Sequence, residues 1–237
     1  MRCVNCNGFE IKYLLERKKV KNINLRIRQN GDVYVSAPNF VNESEIDDFV
    51  RLNASKIMNA KKRFAQINKS LPEFKSGESV SVLGNKYKLK IMESNSFSFS
   101  FCGSVLCIEM KNCNDFESRR GAYDKVLRAV AEKEFPEIVN NCCFDFIKYH
   151  QSTPHLKIRK MKGQWGNCRS KSNVITLNSR LAAYDKKVIE FVVIHELCHF
   201  VHPNHSPDFY SLLSSVLPDW RVCYQAVSYT HLTLPTT

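Results

Sequence analysis

The sequence predicts an α+β fold: a β-rich N-terminal region over residues 10–115, with one helix, followed by a mainly helical domain over 116–225. Three observations carry this expectation. Apolar residues alternate with polar ones through much of the first half, interrupted by Gly-containing turns. From about Phe116 the apolar spacing becomes helical. The stretch from Val192 to His205 then reads as an amphipathic helix, stopped by Pro203 and rich in histidine.

In chain order, Ile23, Leu25 and Ile27 alternate with Asn24, Arg26 and Arg28 as a half-buried strand. Asn30-Gly31 marks a two-residue hairpin, and Val33 and Val35 begin the returning strand. Asn42-Glu43-Ser44-Glu45 has the form of a capping box. It opens a helix buried through Ile46, Phe49, Val50, Ile57, Ala60 and Phe64. Leu71-Pro72 to Gly77 is a linker. Val80 to Ile91 makes a second hairpin about Gly84-Asn85, and Phe97, Phe99 and Phe101 read as a sheet-core stripe paired with Val105–Met110. Residues 121–149 are helical in pattern, interrupted at Pro136. The change of character places a boundary at about 112–118. Val174–Asn178 is a short strand, Asp185 an N-cap, and Ser206-Pro207 the start of a further helix with Phe209, Leu212, Leu213 and Val216 inward.

Composition narrows the function. At 237 residues, with 43% hydrophobic and 11% aromatic residues, the chain is globular. No apolar run approaches roughly 18 residues, so no membrane span is expected. The start lacks the apolar core of a signal peptide, which predicts a cytoplasmic protein. The ten cysteines then read as reduced thiols, with Cys3-x-x-Cys6 as half of a zinc knuckle at most. The net charge is +12, and no acidic residue stands between Phe146 and Tyr184, where eight lysines and arginines fall. This basic stretch, 148–180, points either to nucleic acid or nucleotide partners or to a solvated face.

The chemistry lies in His195-Glu196-Leu197-Cys198-His199. On a helix, residues four apart share a face, so His195 and His199 present imidazoles to one ion and Glu196 reaches a water beside it. The bland alternative is a helix with two partly buried histidines. His202 lies about 10 Å along the axis from His195, too far for a shared ion with Zn–N bonds of about 2.0–2.1 Å. His205, beyond the Pro203-Asn204 turn, is free to fold back and is the third ligand candidate. The expected set is therefore Zn2+ on His195, His199 and His205, with Glu196 catalytic. Arg159, His202 and Tyr210 are candidates for an electrophilic helper.

The sequence resembles the YgjP-like metallopeptidases, distant relatives of the SprT-type metalloproteases. The likeness rests on Arg26-Ile27-Arg28, Asn30-Gly31, Ser36-Ala37-Pro38, Leu83-Gly84, Trp165-Gly166-Asn167-Cys168, Leu177-Asn178, the His195–His199 motif, His205-Ser206 with Phe209, and Pro218-Asp219. The resemblance implies a zinc hydrolase of zincin-like, minimal gluzincin-like build, with the same three ligands and Glu196 as base. Residues 226–237 depart from it and read as a non-family tail. Three functions are weighed. The first is a zinc metallopeptidase acting on a peptide or protein, with strand 174–178 either pairing with it or serving as an inner strand. The second is a nucleoside triphosphate (pyro)phosphohydrolase with Lys160, Lys162 or Arg169 on the phosphates. The third is a nucleic-acid-binding protein with a structural zinc.

Overall fold

The computed structural model describes residues 1–6, 8–28, 30–70, 72–150 and 152–231, apart from the side chains of residues 63, 65–70 and 228–231. The chain divides into two compact units, Met1–Leu71 and Pro72–His231. The described residues form a mixed α+β structure with three sheets and six α-helices.

In the first unit β1 (Arg2–Cys6), β2 (Phe9–Arg17), β3 (Asn24–Ile27) and β4 (Val33–Ala37) form a sheet of order β1-β2-β4-β3. Its inner face and the two helices after it share a core of Ile11, Tyr13, Val33, Val35, Ile46, Val50 and Ile57. The β3–β4 hairpin forms, but Ile27 pairs with Val33 across a five-residue turn instead of two. Asn30 accepts from its neighbour Asp32 N at 3.0 Å and so closes a turn of its own, with Gly31 at φ +85°. The expected single helix is two, α1 (Glu43–Leu52) and α2 (Ala54–Ser70). Asn53 breaks them, its amide donating back to Phe49 O at 2.8 Å. Asn42 occupies the N-cap without a side-chain bond, so the capping box does not form. Cys3 and Cys6 lie in β1 at odd spacing, which directs them to opposite faces of the sheet.

The second unit opens with β5 (Ser79–Val82), β6 (Asn85–Glu93), β7 (Ser98–Cys102) and β8 (Val105–Met110), in the order β5-β6-β8-β7. The turn is Leu83-Gly84, one residue earlier than expected, because both residues hold positive φ (+49° and +78°) and Val82 pairs with Asn85. Val80, Val82, Leu89, Leu106, Ile108 and Met110 are buried. Phe99 and Phe101 pair with Ile108 and Leu106 and so share that face. The stripe is nonetheless not core: β7 is the edge strand, and Phe97 and Phe101 stay 36% and 41% exposed.

Helix α3 (Phe116–Phe146) starts at Asp115, which accepts from Ser118 N at 2.7 Å, and runs through Pro136 without ending. Buried Ala131, Phe135, Ile138, Val139 and Cys142 on either side of the proline hold it helical despite the lost hydrogen bond. A third sheet follows, of β9 (His155–Arg159), β10 (Gly166–Arg169) and β11 (Val174–Asn178), in the order β10-β11-β9. The part after residue 116 is mainly helical as expected, with this small sheet added to it. Helix α3 packs both on β8 and on the 3-10 segment Ser179–Ala183. The compact units divide at Leu71-Pro72, and sheet gives way to helix at 112–118, the place of the expected change of character, within the second unit.

The remaining elements are α4 (Lys186–Val201), α5 (Pro207–Val216) and α6 (Trp220–His231). Helix α6 extends into the stretch read as a tail, and residues 232–237 lie outside those described. No helix among the described residues is long and apolar enough to cross a membrane. The ten cysteines are all free of disulfides.

The start of α4 is held from three sides. Asp185 caps it, accepting from Val188 N at 3.0 Å. The β5–β6 turn reaches the same place: Leu83 N donates to Ala182 O at 2.7 Å, and a Cβ on Gly84 would lie 2.6 Å from Asp185 Cβ. Arg180 makes a two-pronged pair with Asp124 of α3 (2.8 and 3.0 Å), and Lys160 joins at 2.7 Å. Burial pushes the Asp124 carboxyl up, but hydrogen bonds from Arg180 and Lys160 outweigh it and hold the group below the usual aspartate range.

Two outcomes follow. Gly84→Ala combines a strained φ with a clash against the Asp185 backbone, so calorimetry should show a loss of roughly 2–4 kcal/mol. Gly103→Ala, at φ +58° with nothing within 4 Å of the added Cβ, should cost about 1 kcal/mol. Asp124, with its folded pKa below its unfolded one, contributes stability that is complete above the ordinary aspartate range and lost as pH falls through the depressed pKa. Denaturant midpoints followed downward from pH 6 should therefore fall more steeply in the wild type than in Asp124→Asn.

Candidate metal centre and active site

Helix α4 presents His195 and His199 one turn apart, and the chain then turns at Pro203 so that His205 returns to them. The three side chains meet: one nitrogen of each lies within 4.8 Å of the others, and His195 Nε2 and His205 Nε2 are 3.1 Å apart. Two nitrogens on one tetrahedral zinc, with bonds of about 2.0–2.1 Å, stand about 3.3 Å apart, so this spacing suits the ion. Phe209 is fully buried and is the floor of the cluster, its ring 5.0, 4.8 and 4.7 Å from those of His195, His199 and His205. Ser206 places it: its hydroxyl accepts from Phe209 N at 3.3 Å and, with Pro207 at the first turn, fixes the direction of α5.

The electrostatics suit ligation. Burial, then the neighbouring His199 and His205, hold His195 down to about 3, so it is neutral at pH 7. Burial lowers His199 as well, and its Nδ1–H donates to His202 O at 3.2 Å, which leaves Nε2 as the lone-pair nitrogen. His202 thus acts through its backbone, and its side chain belongs neither to the cluster nor to the cavity.

Glu196 is 6% exposed. Burial pushes its carboxyl up to about 8, offset in part by the Cys168 backbone N–H donating to it. Strand β10 makes room for it. A Cβ on Gly166 would lie 2.5 Å from Glu196 Oε1, so only glycine lets the strand pass this close. The loop into β10 is tied in turn by fully buried Asn178. Its amide donates to Met161 O (3.0 Å) and Gln164 O (2.9 Å), while its oxygen accepts from Met161 N (3.3 Å) and Arg180 N (3.2 Å).

A cavity of about 580 Å3 opens over these groups, between β10 on one side and α5 and α6 on the other. Tyr210 lines it, whereas Arg159 does not. No lysine or arginine is among its described lining residues: Lys160 and Arg180 are committed to Asp124, and Lys162 and Arg169 are exposed elsewhere. Among the described residues no other trio of metal-ligating side chains converges, Cys3 and Cys6 included.

The family model described as YgjP-like, metallopeptidase domain, matches residues 21–228 and so covers most of the chain and the whole cluster. The chain belongs to the YgjP-like metallopeptidase family. It is also similar to two zymogen crystal structures. One is the metallopeptidase abylysin of Pyrococcus abyssi (21% identity over 39% of this chain and 90% of that one, TM-score 0.36). The other is jannalysin of Methanocaldococcus jannaschii (20% identity, 40% and 93%, TM-score 0.35). The comparison with curated proteins gave no match.

The sequence named the histidines, Glu196 and both caps. It missed the floor role of Phe209 and the contacts of Gly166, Cys168 and Asn178 with this site, which arise between residues distant along the chain. Gly166→Ala should test the close approach. Pushing the Glu196 carboxylate aside should lower any hydrolytic turnover at least tenfold while zinc content by atomic absorption stays at the wild-type level.

Proposed function

We propose that this family member is a zinc-dependent metallopeptidase that hydrolyses peptide bonds in the cavity above His195, His199 and His205. The observation that carries the reading is the convergence of three neutral imidazoles beside one buried carboxylate, in a cavity open to a strand edge. Zinc in this position supplies Lewis acidity, polarising a carbonyl oxygen and making a water acidic near neutral pH. His195, His199 and His205 hold the ion. Glu196 Oε takes the proton of the attacking water and returns it to the departing amide nitrogen. The low-dielectric wall around Glu196 keeps competing water from its carboxylate.

The peptide is held by strand addition. Strand β11 (174–178) is central, paired on both sides, and so cannot accept a further strand. The edge next to the cavity is β10, whose Gly166, Asn167 and Cys168 line it. An edge strand beside a histidine-bearing helix supports the zincin-like reading.

The nucleotide reading lacks a phosphate clamp, since no cation lines the cavity among the described residues. A purely structural zinc calls for a fourth protein ligand, and the cluster offers three. The test is a set of variants on the full chain. Zinc-loaded wild type should cleave an unfolded protein substrate. Glu196→Gln should keep its zinc and lose roughly 10²–10⁴ in turnover, and His205→Ala should lose the metal. Pyrophosphate or phosphate release from nucleoside triphosphates that disappears in Glu196→Gln would replace peptide hydrolysis with nucleotide hydrolysis.

A further inference from the structure

Resting on the peptidase reading, we infer that the cavity selects substrates by a bulky aromatic side chain next to the scissile bond, received between Phe191, Tyr210, Leu213 and Trp220. A volume of about 580 Å3 exceeds that of one side chain and fits a large residue together with flanking backbone along β10. The wall away from β10 is apolar. Phe191 lies one turn before His195 on the same helix face, its ring 6.0 Å from that imidazole, so the apolar wall begins where the metal ligands end. Tyr210 stacks on Trp220 at 5.5 Å and 23°, and its ring lies 6.2 Å from His205. The Trp220 indole N–H is satisfied by Ser214 Oγ at 2.9 Å, which leaves an apolar ring as lining.

Charge decides between occupants. Apart from Glu196 and the histidines, the described lining carries no ionisable group except tyrosines and the Cys168 thiol, which burial holds neutral, so a lysine, arginine or acidic side chain would lose its hydration there with no further counter-ion in return. A small side chain would leave the open face of Tyr210, the exposed member of this otherwise buried wall, uncovered. An aromatic ring gains both burial and ring–ring contact with Tyr210 and Trp220.

The chain has two tryptophans, Trp165 and Trp220, and both line this cavity, so indole emission reports its occupancy without turnover. Zinc-loaded full-length Glu196→Gln should be titrated with neutral blocked heptapeptides of Gly, Ser and Ala that carry one Phe, Leu, Ala or Lys at the centre. The Phe peptide is expected to bind at least tenfold more tightly than the Ala and Lys peptides. Tyr210→Ala in the same background, at a 40% exposed position where folding is safe, should cut that preference severalfold with an unchanged melting temperature. Binding without preference, or preference for Lys, overturns the inference and leaves the peptidase reading in place. If no peptide binds and the wild type cleaves none, the peptidase reading itself fails and takes this inference with it.

Discussion

A carboxylate buried to 6% exposure, with one backbone N–H as its named partner, is an unfavourable thing to place in a core. The structure accommodates it beside three imidazoles that meet at one point, where the divalent cation proposed above would offset the charge. Glu196 stands there only because β10 passes close to α4. That passage is set by Gly166, since any side chain would occupy the space of the carboxylate. The distance between strand and helix thus fixes both the position of the carboxylate and the width of the cavity.

Strand and helix must then be held to the same frame, and two groups of interactions do so. Asn178, without exposure to solvent, ties the Met161–Gln164 loop and thereby the entry into β10. At the other end, the Leu83-Gly84 turn and the Asp124–Arg180 pair fix the residues just before α4. These contacts join the second sheet, α3 and the third sheet, so α4 is positioned by elements far from it in the chain. Little of this rigidity depends on the histidines themselves, so the frame around them is set by the protein's own contacts.

Two conspicuous sequence features take other roles. The basic stretch leading to α4 reads as an approach for anions, yet two of its members neutralise one half-buried aspartate and none is among the described residues that line the cavity. The alternating phenylalanines are apolar enough for a core but lie along an edge strand, where the sheet ends before covering them.

The sequence by itself determined the metal motif, the return of His205 after Pro203, the caps at Asp185 and Ser206 and the hairpin character of the first half. Each of these is an interaction within a few residues, so spacing and residue type encode it directly. Local signals also misled: Asn42 and Glu45 match a capping box that does not form, and Pro136 sits inside a continuous helix because burial on both sides outweighs one lost hydrogen bond. Only the tertiary structure decided that β10 is the open edge and β11 the inner strand, that Phe209 is the floor under the three histidines, and that the units divide at Leu71-Pro72. Those outcomes depend on pairing and close approach between residues tens of positions apart, such as Gly166 with Glu196 and Gly84 with Asp185. No local pattern carries that information, because the clash that demands each glycine exists only once the chain has folded.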